Sequence, residues 1–242
     1  MTQLKIIEKI ANASNGAFLA ELDDVKVIFK PSHLEKELWD FPTGTLAIRE
    51  RATFVVNELL GWDLVPQTDL IETSDGLASV QLWVDAQPSL VEIFPADQVP
   101  SDWLAVLDGQ GPSGEELSLA HKDDSTLARI ALLDAIVNNA DRKGGHVLTD
   151  VSGRSFAIDH GVTFHEEPKL RSVLWGWQDA GIDASLLADI TQLSENLPTS
   201  ELVELLTESE LIATQERIAD LLETQRYPNP SDEWPHLPWP LF

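Results

Sequence analysis

Between Val25 and Lys30 the side chains alternate, with Val25, Val27 and Phe29 on one face and Lys26, Ile28 and Lys30 on the other, which is the period of a half-buried strand. Residues 1–30 as a whole read as a short helix or strand, a turn at 12–16 and two strands. After a loop over 31–42 the period changes to that of a helix. It starts at Thr43 or Thr45, either of which can cap it, and runs to Leu60, where Gly61 stops it. On its wheel Ile48, Ala52, Val55 and Leu59 lie opposite Glu50, so Glu50 points away from the apolar stripe. Val65 and Pro66 open a further strand, and 71–73 with 77–84 predict a hairpin about Ser74, Asp75 and Gly76. Residues 88–122, with GQGPSGEE inside them, have the least regular pattern and predict outer loops with a short helix. Ser125 then caps a helix with Leu127, Ile130, Leu133 and Val137 at helical spacing, and two or three amphipathic helices and a proline-rich tail close the chain.

Two apolar runs, 146–149 and 155–158, are too short for helices and are split by Asp150, Ser152 and Gly153, which predicts a hairpin turning near Ser152 and Gly153. Folding there pairs position 146 approximately with 159. The His146 imidazole and the Asp159 carboxylate then share one open end, with Asp141 five residues before the histidine, and such donors suit a divalent cation. The preceding helix carries Asn138, Asn139 and Asp141 toward this place. Asp134, two turns back on the apolar side, must be paired, and it is expected to hold the loop through backbone N–H groups.

The spacing D-R-x-x-x-H followed by I-D-x-G resembles the catalytic loop and metal-binding segment of kinases related to the phosphatidylinositol 3- and 4-kinases, where D-R-H-x-x-N precedes I-D-F-G. It is still more similar to a group of actinobacterial proteins that carry D-R-K-G-G-H. Asp141, Arg142 and Asp159 match; Lys143 stands at the family histidine, His146 at the asparagine and His160 at the phenylalanine. The resemblance implies an α+β, two-lobed kinase-like fold. Residues 1–84 would be a nucleotide-binding lobe with an antiparallel sheet and one main helix, and 85–242 a mostly helical catalytic lobe.

It also implies roles. Asp141 would orient the accepting hydroxyl and take its proton, and Lys143 would add positive charge. His146 and Asp159 would hold Mg2+ or Mn2+. Lys30, steadied by Glu50, would hold the ATP phosphates under a turn of Ser14, Asn15 and Gly16, with Ile28 against the adenine and Gln81, Leu82, Trp83 and Val84 as the hinge. Taken alone, Lys30 is equally an exposed strand-end lysine, and Glu50 a solvated glutamate between Arg49 and Arg51. The implied activity is phosphoryl transfer from ATP to a protein or small-molecule hydroxyl. Alternatives are a pseudokinase or nucleotide-binding regulatory module, and a protein AMP-transferase.

Composition narrows the picture further. The 242 residues, 43% hydrophobic and 24% charged, can bury a large core. The chain lacks an apolar run near the roughly 20 residues that span a bilayer, and MTQLKIIEKI lacks a signal-peptide core, so a cytoplasmic protein is expected. The absence of cysteine leaves oxygen and imidazole ligands for any metal. With 16 Lys and Arg against 41 Asp and Glu, the formal charge of -25 repels nucleic acid and anionic membranes, so neither a nucleic-acid partner nor stable membrane association is expected. Glu166 and Glu167 accompany Lys169 and Arg171 where phosphoinositide-type kinases carry a basic stretch, which disfavours a lipid headgroup as acceptor. Trp234, Trp239 and Phe242 are expected to dock on the protein's own surface.

Overall fold

The computed structural model describes residues 4–10, 16–231 and 234–242. Its first part is an antiparallel sheet made by β1 (Leu4–Lys9), β2 (Phe18–Leu22), β3 (Val25–Pro31) and, after helix α1 (Leu46–Leu60), β4 (Thr68–Thr73) and β5 (Gly76–Leu82), in the order β1-β2-β3-β5-β4. The alternation at 25–30 sets its faces. Val27 and Phe29 are buried with Ala20, Ala78 and Val80, while Ile28 and Lys30 are half-buried on the other side.

Helix α1 packs on β4 and β5 and also on the helices that follow later in the chain, so nearly every face of it is covered. Gly61, at φ 66, ends it as its sequence predicts. Its beginning differs from the expectation, because the Thr45 side chain makes no cap. Glu35, from the preceding loop, accepts the N–H groups of Leu46 and Ala47 at 3.2 and 3.0 Å, which sets a full negative charge on the positive end of the helix dipole. The Thr45 hydroxyl is spent elsewhere, donating to the Pro42 carbonyl at 2.7 Å.

β6 (Ala86–Gln87) leads into β7 (Val91–Pro95), β8 (Trp103–Gln110) and β9 (Glu116–Lys122), which form a second antiparallel sheet in the order β7-β9-β8. Residues 88–122 are thus mainly a sheet, and the expectation of outer loops is corrected. GQGPSGEE is the tight β8 to β9 connection, closed by the Gly111 N–H to the Glu115 carbonyl at 2.9 Å. The pattern was hidden for a physical reason. Only the central strand β9 is buried, and β8 carries a register shift between Ala105 and Leu107 that moves its alternation by one residue.

Helix α2 (Ser125–Val137) is the centre of the main core, with Leu127, Ile130, Leu132, Leu133, Ile136 and Val137 all fully buried. Asp124, not Ser125, caps it, accepting from Thr126 and Leu127 at 2.8 and 3.2 Å. β10 (Val147–Asp150) and β11 (Ser155–Ala157) make the anticipated hairpin, joined on the β10 side by β6. The helices α3 (Ala184–Asn196), α4 (Leu202–Leu205) and α5 (Glu208–Thr224) complete an α+β, two-lobed architecture, with α5 started by a capping box of Thr207 and Glu210.

The tail lies across Gly144 and the 172–175 segment. The His236 carbonyl accepts from the Ser172 N–H and the Trp175 indole at 3.0 and 2.9 Å, and the Leu241 carbonyl accepts from Gly144 at 2.9 Å. A Cβ added at Gly144 would run into the Phe242 ring. Trp234 and Phe242 therefore do meet the protein surface, but Trp239 is 87% exposed and does not dock as expected.

Candidate active site

Three distant segments bring the sequence-predicted charges together. Lys30 closes β3, Glu50 sits in the second turn of α1 and Asp159 follows β11. The Lys30 ammonium donates to Asp159 Oδ1 at 2.9 Å and forms an ion pair with Glu50. Glu50 is only 2% exposed, so it is a buried partner and not a solvated surface charge. Asp159 adopts φ 61, a left-handed conformation that Asp tolerates better than most residues. Gly161 lets the chain pass α1 closely, since a Cβ there would stand 3.2 Å from that of Leu46. These groups, with Gly16, Glu35 and Asp141, border a narrow cavity of about 60 Å3, which is the inner end of a cleft and not a complete nucleotide site.

The hairpin register sets Val147 opposite Ala157. His146 thus lies opposite Ile158, whose N–H donates to its carbonyl at 3.0 Å, and Asp159, the expected partner, is one residue beyond the observed pairing. The side chains still meet, with His146 Nε2 at 3.3 Å from Asp159 Oδ2. Asp141 is paired with Lys143 at 2.9 Å.

Electrostatics assigns the charge states. Burial opposes the charged form of Lys30, but the combined pull of Asp159 and Glu50 outweighs it and raises the ammonium above its ordinary value. Lys30 in turn holds the Asp159 carboxyl well below the usual carboxylate range, against the effect of burial. Burial raises Asp141, with Lys143 opposing. Burial also pushes His146 down to about 4, although Asp159 pulls the other way, so near neutral pH its ring is uncharged.

A divalent cation would be held by His146 and Asp159. Among the described residues no group of three or more His, Cys, Asp and Glu gathers around one point, so these two would supply a partial set completed by oxygens from a ligand. The pair fits that use. The imidazole is neutral, as a ligand must be, and the 3.3 Å between donor atoms is close to the ~3 Å separating adjacent ligands about 2.1 Å from one octahedral ion.

The part the sequence did not reveal lies behind this pair. The guanidinium of Arg142 is 0% exposed, and all five of its N–H donors are used. Nε and Nη2 bind the two oxygens of Asp134 at 2.8 and 2.9 Å. Nη1 donates to the His146 and Ile158 carbonyls at 3.2 and 2.9 Å, and Nη2 also donates to His160 Nε2 at 2.7 Å. One side chain therefore fixes the loop, both ends of the hairpin and the residue after Asp159. Asp134 is structural, but it works through this guanidinium and the Asn139 amide, 2.8 Å from its Oδ1, and not through backbone N–H groups. His160 is held well below its ordinary pKa by burial and then by Arg142. It is a neutral acceptor here, a service the phenylalanine of the resembling kinases could not give.

Other predicted residues fall elsewhere. Asn138, at φ 53, binds the His165 and Glu167 carbonyls and the Lys169 N–H, while the Asn139 amide oxygen accepts from the Asp141 N–H at 3.0 Å. Both asparagines hold the loop and do not border the cavity. Ile28 shares the face of Lys30, and Gly16 packs on Leu34, whereas Ser14 and Asn15 lie outside the described residues. Gln81, Leu82, Trp83 and Val84 are not brought to the Lys30 cavity. The Gln81 amide binds Thr68 at 2.8 Å, and the N–H groups of Leu82 and Trp83 go to the Gln67 and Lys26 carbonyls at 2.8 and 3.0 Å. Lys169 is consumed internally by Asp40 at 2.6 Å, between the Trp39 and Trp234 rings.

No protein-family model matches the chain. Among solved structures it is similar to the Golgi casein kinase, with 13% identity and a TM-score of 0.55 over 93% of this chain and 73% of that one. The Helicobacter pylori proinflammatory kinase CtkA aligns with 8% identity and a TM-score of 0.49 over 94% and 93% of the two chains. The likeness to the Golgi enzyme identifies the two-lobed architecture as a kinase-like fold. A curated sequence, Protein Rv2133c of Mycobacterium tuberculosis (strain ATCC 25618 / H37Rv), is 38% identical over 258 residues, covering 99% of this chain and 92% of its own, and the chain belongs to the family of that protein.

Proposed function

We propose that the protein is an ATP-dependent phosphotransferase, related to the phosphatidylinositol 3- and 4-kinase-like enzymes through its D-R-K-G-G-H loop, that acts on a protein or small-molecule hydroxyl and not on a membrane lipid. The observation that carries this reading is the Lys30 ammonium held between Glu50 and Asp159, with Asp141 bordering the same cavity. We place the lobe boundary after Val84, because β5 belongs to the first sheet and β6 to the sheet of β10.

In this reading Lys30 binds the phosphates of ATP and Glu50 keeps its ammonium extended. Asp141 accepts a hydrogen bond from the acceptor hydroxyl and takes its proton as the hydroxyl oxygen bonds to the γ-phosphorus and ADP departs. Its raised pKa makes it a stronger base than an ordinary carboxylate. Lys143 stands beside it to offset negative charge. His146 and Asp159 would hold Mg2+ or Mn2+, which when bound would neutralise part of the phosphate charge. The protein's charge of -25 supports an acceptor away from anionic lipid.

The test is ATP labelled at either the α or the γ phosphorus, incubated with Mg2+ or Mn2+ and the protein alone or with a cell extract freed of small molecules. Incorporation of the γ label, abolished by Asp141→Asn, is the expected result. Incorporation of the α label would replace the reading by AMP transfer. Nucleotide binding without either would make the protein a pseudokinase.

A further inference from the structure

A second cavity, of about 390 Å3, lies under α2 and α5 and shares none of its lining with the Lys30 cleft. Its volume is within the range of small-molecule sites. Trp175, Tyr227, Trp234, Leu170, Leu221 and Pro228 give it apolar, largely aromatic walls. Two cations border it, Arg226, which is paired with Asp179, and the Arg217 guanidinium. Its Nε donates to the Ile136 carbonyl at 2.9 Å, Nη1 to the His165 carbonyl at 3.3 Å and Nη2 to the Thr214 hydroxyl at 2.8 Å. None of these partners is a carboxylate. Among the described residues these three bonds use three of its five donors and leave one on each terminal nitrogen, and a carboxylate can bridge two such nitrogens with both oxygens.

Burial pushes Arg217 down to about 10, with Glu216 opposing, which marks a desolvated and poorly compensated cation. A second donor among the cavity's lining residues is also unfilled, since the buried indole N–H of Trp234 has no hydrogen-bond partner among the described residues. The exposed carboxylates of Asp179 and Asp220 also border the space, and they repel a multiply charged phosphate. Asp179 is engaged with Arg226 at 3.5 Å and does not reach Arg217.

We propose that this cavity binds a small planar organic anion with a single carboxylate, its ring between the aromatic walls and its charge on Arg217. The inference is independent of phosphoryl transfer. Asn138, which borders the cavity, holds the His165 and Glu167 carbonyls, so an occupant would rest against the segment that follows the cleft.

Calorimetric titration of the full chain with 1-naphthoate and with its neutral counterpart 1-naphthalenemethanol tests the proposal. Saturable binding of one naphthoate per chain is expected, about tenfold or more tighter than the alcohol, as a charge-assisted bond provides. Folded Arg217→Gln should erase the difference. Equal affinity for acid and alcohol, no binding of either at millimolar concentration, or unchanged naphthoate binding by folded Arg217→Gln would overturn it. Should Arg217→Gln fail to fold, Thr224→Trp, at an exposed position of the lining, must block naphthoate by filling the space; undiminished binding there also overturns it.

Discussion

Replacing Arg142 by lysine keeps the positive charge beside Asp134 and removes the fork that distributes it. The native guanidinium serves four acceptor groups with five bonds: the Asp134 carboxylate, the His146 and Ile158 carbonyls and His160 Nε2. An ammonium presents three donors from a single point. If it keeps both oxygens of Asp134, the most expensive group to abandon, one donor remains for three acceptors; the His146 carbonyl still takes the Ile158 N–H, so at least one of the Ile158 carbonyl and His160 Nε2 is left without a donor. Each orphaned buried acceptor costs about 1–3 kcal/mol, so a loss of about 1–3 kcal/mol is expected, a substantial share of the ~5–15 kcal/mol that stabilises a typical domain. In urea, with an m-value of about 2–3 kcal/mol/M, the midpoint should fall by about 0.5–1 M while m stays constant. Arg154→Lys is the control, because the Arg154 to Asp63 pair is solvent-exposed, and it should shift stability by less than about 0.5 kcal/mol. If Arg142→Lys matches that control, the clamp holds nothing together and the account of the loop is wrong.

Lys30→Ala should abolish the rise in melting temperature that millimolar ATP with Mg2+ or Mn2+ produces in the wild type by mass action; an unshifted wild type sinks the nucleotide assignment. His121, His146 and His160 all have pKa values lowered by burial, so the unfolded chain binds protons that the folded one does not. Their contribution is complete above the unfolded value of about 6.5 and is lost as pH falls below it. His146, at about 4 when folded, accounts for about 3 kcal/mol of that loss by pH 4. Urea unfolding of wild type and His146→Gln across that window checks this, and parallel curves would contradict it. Co-sedimentation with phosphatidylinositol vesicles at physiological salt should leave the protein in the supernatant, and substantial pelleting would show that the charge argument fails.

What the sequence discloses is what neighbours along the chain decide. The 147–157 hairpin follows from its turn residues, the end of α1 from Gly61, and the buried face of α2 from its helical period. The caps were misplaced because Glu35 and Asp124 reach the helix starts from outside the periodic run. The Arg142 clamp escaped notice because its partners at 134, 146, 158 and 160 come together only once the hairpin has folded onto α2. One local clue existed, since Asp134 on a wholly apolar face demands a cation, and Arg142 follows it eight residues later. Glu50 was read on a wheel with one core side, whereas α1 has sheet on one flank and helices on the other. Gln81 and Leu82 pair with β3, and which cavity 81–84 border is decided by tertiary packing that chain order does not reveal.

The strap that ends the chain has a consequence for how the protein is made. Gly144 and the Leu241 carbonyl that takes its N–H are 97 residues apart, so at typical elongation rates the loop waits about 5–20 s for its cover. The core around α2 waits for most of that interval too, because its buried partners run on to Leu221 and Tyr227. The loop of Asp141 therefore gains this cover from a segment that follows α2, α3, α4 and α5 in the chain.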